Sequence, residues 1–292
     1  INDLDSCFLS KNSFSLSFPV NDSLFDRNVV VTWSEGNFYI ENDWLGSIPV
    51  FYHTQTTTVS TLINKAIDPT KIDLDPEGFN LYLDIGYSTM ETTPVKDVQF
   101  LRYYSKLTLG GNGLSVHYKE DPVHSQLHRE SDPQNITQLI KSYIENTEKK
   151  ISGNVIIPTS GGFDSRLLNI LVSDKAKIKS FTYGISKKQE ESIETVKARR
   201  LSDILKTNWQ QIELGEFNNY TQEWFKIFGP STHLHGMYHI EFYKKIRSMG
   251  KTTDTLLSGI IGDAWSGNVT IDSIDSSEKI KLLGYSHGMN LN

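Results

Sequence analysis

The feature that most constrains this chain is a short apolar run that leads directly into a serine and two glycines. Residues 155–158 are Val-Ile-Ile-Pro, and residues 159–166 are Thr-Ser-Gly-Gly-Phe-Asp-Ser-Arg. An apolar run of this length indicates a buried strand, and two glycines allow a tight turn into the helix that the following residues predict. The segment therefore predicts a strand, a turn and a helix in direct succession, as in an α/β domain.

The turn has the chemistry of an anion-binding site. Its backbone N–H groups, the positive end of the helix and the hydroxyl groups of Ser160 and Ser165 all favour a negatively charged ligand. Asp164 would repel a phosphate group, so its carboxylate indicates a hard cation such as Mg²⁺ between the two. The pattern G-x-x-x-x-G-K-[ST] is absent, so the turn is not a Walker A loop. The alternative is a capped strand-to-helix turn without a ligand, which the complete S-G-G-x-D-S pattern disfavours.

The second half of the chain alternates between strands and helices. Strands are predicted at 154–158, 178–184, 209–214 and 254–259. Helices are predicted after an N-cap at Asn135 and at 190–206, 217–228 and 237–248. Such alternation favours a parallel sheet with crossover helices.

The first half is predicted to be mostly β. Residues 28–41 have the pattern of two strands around a Ser-Glu-Gly-Asn turn, and residues 48–60 and 97–118 continue it. A short helix is predicted near 76–84. Residues 119–135 are polar, contain two prolines and form the predicted linker. We therefore expect a β-rich domain at 1–125 and an α/β domain at 126–292.

Composition narrows the classes of function. The 292 residues include 29 Lys and Arg against 35 Asp and Glu, which gives a formal net charge of −6 and disfavours nucleic acid as a partner. No apolar stretch is long enough for a membrane span, and the first residues lack the pattern of a signal peptide. The single cysteine, Cys7, excludes an intrachain disulfide, which fits a reducing cytoplasm.

The motif at 160–165 resembles the pyrophosphate-binding loop of the N-type ATP pyrophosphatases. Its flanks resemble the asparagine synthetase branch of that family, which includes the β-lactam synthetases. Further similar segments lie at 43–52, 91–94, 181–184, 194–201 and 257–263. The first two of these are similar to the end of a class II glutamine amidotransferase-type domain.

The resemblance implies a doubly wound, adenine nucleotide α-hydrolase-like synthetase domain after a smaller, degenerate Ntn-type α+β domain. It also implies an ATP- and Mg²⁺-dependent, AMP-forming ligase. Such an enzyme adenylates a carboxylate, and ammonia or an amine then attacks the acyl-adenylate to form an amide.

The resemblance also implies roles for individual residues. The catalytic residues would be Asp164, Asp263 and Arg166, and the magnesium ligands would be Asp164 and Asp263. The nucleotide-binding residues would be Ser160, Gly161, Gly162, Phe163, Asp164, Ser165, Thr182, Tyr183, Gly184, Gly259 and Gly262.

Several positions depart from the family pattern. Ile260 replaces an acidic residue or tyrosine and cannot carry a proton, and Ala264 replaces a glutamate. Cys7 is not N-terminal and only 42 residues precede Asp43, so we expect no glutaminase activity. The family's helical C-terminal half would lie beyond residue 292, which a homodimer or a partner could complete.

Three alternatives stay open at this stage. One is a nucleotide-binding pseudoenzyme or regulatory module, which Ile260 and Ala264 favour. Another is a tRNA-modifying enzyme with the same loop, which the acidic charge disfavours. The third is a zinc site at the histidines of residues 233–239, where His235 and His239 have i, i+4 spacing. A third ligand is lacking, so a helix start or a pocket role is favoured over zinc. Glu194 is a further candidate for a pocket role.

Overall fold

The computed structural model describes residues 6–9, 13–17, 29–111, 113–126, 130 and 132–259. Over these residues the protein is mixed α/β with antiparallel and parallel sheets, which confirms the expected class at that level. The described residues form two compact units. The first unit contains residues up to 126 together with Glu223–Leu234, and the second contains residues 130–222 and 235–259.

The first unit is built from two antiparallel sheets. A six-stranded sheet has the order β1-β2-β3-β4-β8-β9, and a three-stranded sheet has the order β6-β5-β7. The strands are β1 (Ser6–Leu9), β2 (Ser13–Ser17), β3 (Val29–Ser34), β4 (Asn37–Asn42), β5 (Phe51–His53), β6 (Val59–Ser60), β7 (Val98–Phe100), β8 (Ser105–Gly110) and β9 (Gly113–Tyr118). Two helices, α1 (Ile63–Ala66) and α2 (Pro76–Ile85), lie between β6 and β7 in the chain.

Local sequence signals explain the predicted elements of this unit. Glu35 and Gly36 have φ of 52° and 80°, so the predicted Ser-Glu-Gly-Asn turn is the tight connection between β3 and β4. The predicted helix near 76–84 is α2, where the Asp75 side chain accepts a hydrogen bond of 2.7 Å from the Gly78 amide. Buried apolar residues of both sheets and of the positions next to β5 and β7 form one cluster: Val29, Ile40, Val50, Tyr52, Leu101 and Leu107.

The second unit contains a four-stranded parallel sheet of order β12-β11-β10-β13. Its strands are β10 (Val155–Pro158), β11 (Ile178–Thr182), β12 (Asn208–Gln211) and β13 (Thr255–Leu256). The helices of this half of the chain are α3 (Pro133–Glu148), α4 (Phe163–Leu171), α5 (Ile193–Leu205), α6 (Thr221–Phe228) and α7 (Met237–Met249). Among the described residues, no helix is both long and apolar enough to cross a membrane.

The alternation of side chains along β10 divides the apolar residues of this sheet into two clusters. Val155 and Ile157 pack with Ile178 of β11 and with Ile144 of α3 and Val172. The other cluster unites Ile156, Phe181 and Ile212 with Phe242 and Ile246 of α7. Because β10 is apolar on both sides, its sequence is a continuous apolar run, as expected for a buried parallel strand.

Several predicted boundaries were wrong by a few residues. Helix α3 begins at Pro133 with Asp132 as its N-cap, not Asn135, because proline suits the first helical position and Asp132 accepts from the Gln134 amide. It therefore takes up the end of the predicted linker. The predicted helix at 217–228 begins as a 3₁₀ turn over Phe217–Tyr220. The predicted strands at 209–214 and 254–259 are shorter, because β12 and β13 pair over only four and two residues.

Candidate functional site

A cavity of about 370 Å³ lies where β10 and β11 end at their carboxyl edge. Ligands bind at this edge of parallel α/β sheets, because the connections there leave backbone groups and loops free to contact them. The residues that line the cavity are Pro158, Thr159, Ser160, Gly162, Asp164, Ser165, Phe181, Thr182, Tyr183, Ile185, Glu194, His239, Phe242, Tyr243, Ser258 and Gly259. All of them belong to the second unit.

The loop between β10 and α4 is held by its own serines. The Ser160 amide donates to Ser165 Oγ at 3.0 Å, and the Gly162 amide donates to Ser160 Oγ at 3.2 Å. Gly162 is the N-cap of α4 and provides no capping side chain. Consequently the first turn of α4 presents its positive pole at the cavity without a side-chain cap of its own, which suits an anionic ligand.

A buried polar network supports the loop from below. Asn169 Nδ2 donates to Thr159 Oγ1 at 2.9 Å and to the Ser165 carbonyl at 2.8 Å, while Asn169 Oδ1 accepts from Ser180 Oγ at 2.8 Å. Thr182 Oγ1 donates to the Thr159 carbonyl at 2.6 Å. The network therefore joins β10, α4 and β11 directly beneath the loop. Sequence reasoning missed Thr159, Asn169 and Ser180; their signal was polarity at positions where a strand or helix should be buried.

Gly259 brings the chain after β13 against the start of α4. A Cβ atom at Gly259 would lie 3.0 Å from both the Asp164 carbonyl carbon and the Ser165 amide nitrogen. Contacts this short are unfavourable for a side chain, so any other residue here would push the neighbouring backbone away by a few tenths of an ångström. The half-buried Asp164 and Gly259 therefore line the same side of the cavity.

Aromatic rings form another wall of the cavity. The Tyr183 ring lies edge-on to Phe242, with ring centroids 4.9 Å apart, and Tyr243 packs against Phe242 at 5.3 Å. The His239 ring lies near both tyrosines, with its centroid 6.5 Å from that of Tyr183 and 6.3 Å from that of Tyr243. Burial, followed by the neighbouring Tyr238, raises the pKa of Tyr183 well above its ordinary value, and the nearby Glu194 carboxylate adds to this effect. Tyr183 is therefore a neutral phenol at physiological pH.

Glu194 lies in the first turn of α5, beside the loop. A Cβ atom at Gly161 would be 3.7 Å from Glu194 Cα, so the two backbones are in close contact. Glu194 Oε2 is buried and has no hydrogen-bond partner among the described residues. A buried carboxylate oxygen without a partner is costly and points to a group that the described residues do not supply.

The predicted nucleotide-binding residues divide into three sets. Those that line the cavity are Ser160, Gly162, Asp164, Ser165, Thr182, Tyr183 and Gly259. Those that do not line it are Gly161, Phe163 and Gly184. Gly262, together with the predicted catalytic and metal-binding Asp263, lies outside the described residues, as do Ile260 and Ala264. Thr182 uses its hydroxyl within the protein, because it also accepts from Trp209 Nε1 at 3.1 Å.

Arg166, a predicted catalytic residue, turns back along α4. Its Nε donates to the Gly162 carbonyl at 3.1 Å, and its guanidinium carbon lies 4.3 Å from the centre of the Phe163 ring. Phe163 itself is 81% exposed. Arg166 does not line the cavity in this arrangement, so a contact with a ligand there would require it to leave Phe163.

The described residues contain no group of three histidine, cysteine, aspartate or glutamate side chains arranged to hold a metal ion. Asp164 is the described member of the predicted magnesium pair. Of the clustered histidines, His233 Nδ1 lies 2.8 Å from the Gly86 carbonyl, and His239 lines the cavity. His235 is in a 3₁₀ turn before α7 begins at Met237, so it does not share a helix with His239.

No family model matches the chain, and a search of curated proteins finds no significant match. A proposal about function therefore depends on the residues of the cavity.

Proposed function

We propose that the protein is an ATP-dependent, AMP-forming amide ligase of the cytoplasm that resembles the asparagine synthetases. The observation that carries the proposal is the cavity at the carboxyl edge of the parallel sheet. The uncapped start of α4, the Ser160–Ser165 loop and Asp164 all face it, and Gly259 lies against the first turn of α4. This combination suits the pyrophosphate part of a nucleotide better than an apolar ligand.

In the proposed reaction a carboxylate attacks the α-phosphorus of ATP, pyrophosphate leaves, and an amine displaces AMP from the acyl-adenylate. The amides of the first turn of α4, where Gly162 provides no capping side chain, would bind the pyrophosphate oxygens and stabilise their developing charge. Asp164 would hold Mg²⁺ together with Asp263, the second ligand that the resemblance implies. The ion would neutralise further charge when bound. Asn169 and Thr159 would keep the loop in place.

The proposal extends to the architecture. The second unit would be a doubly wound synthetase domain, in keeping with the apolar clusters on both sides of β10. The first unit would be a degenerate Ntn-type domain without glutaminase activity.

The direct test is calorimetric binding of ATP with and without Mg²⁺. The wild type should bind Mg·ATP, and D164A should weaken binding by about tenfold or more, because it removes the carboxylate that holds the cation. D203A is the matched control, since Asp203 is an exposed carboxylate on α5. Failure of the folded wild type to bind would refute the proposal. If the wild type binds Mg·ATP, a screen of carboxylates for AMP and pyrophosphate release would identify the substrate.

The second candidate is a nucleotide-binding pseudoenzyme. It is favoured by the loop's internal bonds, because the Ser160 and Gly162 amides already donate to serine hydroxyls. The position of Arg166 on Phe163 points the same way. Binding of Mg·ATP without AMP formation under any carboxylate and amine would support this candidate.

A further inference from the structure

Of the two carboxylates in the described lining of the cavity, Glu194 is the one that the nucleotide chemistry does not use. Its Oε2 is buried and has no hydrogen-bond partner among the described residues, although the residue lies directly beside the Ser160–Ser165 loop. The side chain is half-buried and lines the same cavity as Asp164. A carboxylate in this position is retained at a cost in stability unless a ligand supplies a hydrogen-bond donor or a positive charge.

The charges of the cavity favour a cation. Its described lining contains two carboxylates, Asp164 and Glu194, and no lysine or arginine. Of the participants in the proposed reaction, ATP and the carboxylate substrate are anions that Glu194 would repel. Only the metal ion and the amine substrate are positively charged.

The aromatic rings that share the cavity with Glu194 favour the amine over the metal. Tyr183, Phe242 and Tyr243 line the cavity and are packed against one another with ring centroids 4.9 and 5.3 Å apart. Magnesium requires several oxygen ligands and keeps part of its water, which aromatic rings do not provide. An organic ammonium ion, in contrast, is attracted both by a carboxylate and by the faces of aromatic rings.

We propose that Glu194 and the aromatic wall formed by Tyr183, Phe242 and Tyr243 bind the amine substrate as an alkylammonium ion. This inference rests on the proposed function and makes it more specific. The nitrogen donor is a primary amine with an apolar stem and not free ammonia, because the aromatic wall offers contacts that only a carbon chain can use. Glu194 is then the residue that selects for a charged amine, next to the loop where the acyl-adenylate would form. The ammonium group would pass one proton to this carboxylate before its nitrogen attacks the acyl carbon and AMP leaves.

The test uses n-butylammonium and its uncharged analogue n-butanol as probes, titrated into the full-length protein and followed by saturation-transfer NMR. The wild type should bind butylammonium more tightly than butanol by about fivefold or more. E194Q keeps the size of the side chain and removes its charge, so this preference should disappear. E194D keeps the charge and should retain part of the preference. E190Q is the matched control, because Glu190 is an exposed carboxylate four residues earlier.

Two further measurements distinguish a failure of the proposed function from a failure of the amine site at Glu194. In calorimetry, E194Q should bind Mg·ATP at least as tightly as the wild type, because it removes a negative charge that repels the nucleotide; absence of Mg·ATP binding in the wild type would refute the proposed function. Equal binding of butanol and butylammonium, or an unchanged preference in E194Q, would overturn the role of Glu194 alone. Titration with Mn²⁺ tests the metal: a loss of Mn²⁺ affinity in E194Q that matches the loss in D164A would assign Glu194 to the metal and overturn the amine site.

Discussion

Asn169 joins three parts of the second unit through one side chain. It is 1% exposed, donates to Thr159 Oγ1 and to the Ser165 carbonyl, and accepts from Ser180 Oγ. Hydrogen bonds of this kind connect residues 10 and 11 positions apart. The order of polar and apolar residues does not indicate which polar residues pair over such separations. The loop could therefore be predicted from the sequence, but the hydrogen bonds of Asn169 that support it could not.

We predict that N169A lowers the free energy of unfolding by about 2–4 kcal/mol, because it leaves several buried polar groups without partners. Urea unfolding measures the change. N146A is the control: Asn146 is an exposed residue of α3, and its replacement should cost less than about 0.5 kcal/mol. If N169A also lowered the free energy of unfolding by less than about 0.5 kcal/mol, the network would not stabilise the protein.

Gly259 lies so close to the backbone of Asp164 that an added side chain should disturb the proposed cation site. In G259A the new methyl group would lie 3.0 Å from the backbone of Asp164 and Ser165, so one of the two segments must move. We expect Mg·ATP affinity to fall by about tenfold or more, because Asp164 is displaced from the proposed cation. The control G215A adds a methyl group with no atom within 4 Å and should bind like the wild type. Unchanged binding in G259A would contradict the proposed position of the metal.

At the scale of elements, Asp254 connects the amino ends of neighbouring strands. Its Oδ1 accepts from the backbone and side-chain nitrogens of Asn154, just before β10, and its Oδ2 accepts from the Lys251 amide. Lys179 of β11 lies 3.5 Å away. Burial alone would raise the pKa of the Asp254 carboxyl, but these hydrogen bonds and the Lys179 ammonium outweigh it and hold that pKa well below the ordinary range.

The lowered pKa of Asp254 predicts how the stability of the folded protein depends on pH. A depressed pKa in the folded state stabilises the protein above the unfolded value near 4, and this contribution is lost as the pH falls below it. D254N should therefore lower the free energy of unfolding by about 1–3 kcal/mol at neutral pH, since its amide group faces donors. The difference from the wild type should shrink below about pH 4. D203N, at an exposed site, should show no such trend; a pH-independent difference for D254N would contradict the assignment.

The elements themselves were largely predictable, because a strand or a helix depends on nearby residues. The parallel strands β10 and β11 and the helix α7 lie where periodicity places them. Their ends were less predictable, since a helix begins where a cap is available, as Asp132 shows for α3. The end of a strand depends on its partner: β13 pairs with β10 over only two residues, and no local signal gives that length.

At the scale of the molecule, sequence continuity does not determine which residues pack together. Glu223–Leu234 lies between segments of the second unit in the chain, yet it belongs to the first. Asn64 Nδ2 donates to the Phe225 carbonyl at 2.6 Å, and the His233 amide donates to the Gly86 carbonyl at 2.8 Å. Gly229, with φ of 51°, leaves space for Asn64, because a Cβ there would lie 2.4 Å from its Oδ1. Contacts between residues so distant in sequence leave no trace in local periodicity.

Net charge is a property of the whole molecule and separates the proposed ligase from a tRNA-modifying enzyme. At −6, the protein as a whole repels a polyanion, and tRNA binding that depends on phosphate contacts weakens steeply with salt. We expect no retention of bulk tRNA on the wild type at about 150 mM salt, where charges are screened beyond about 8 Å. Filter binding over a salt series measures this, with a basic tRNA-binding protein as the positive control. Retention that persists at that salt and is lost in D164A would instead show that tRNA reaches the cavity, and would favour a tRNA substrate over a small amine.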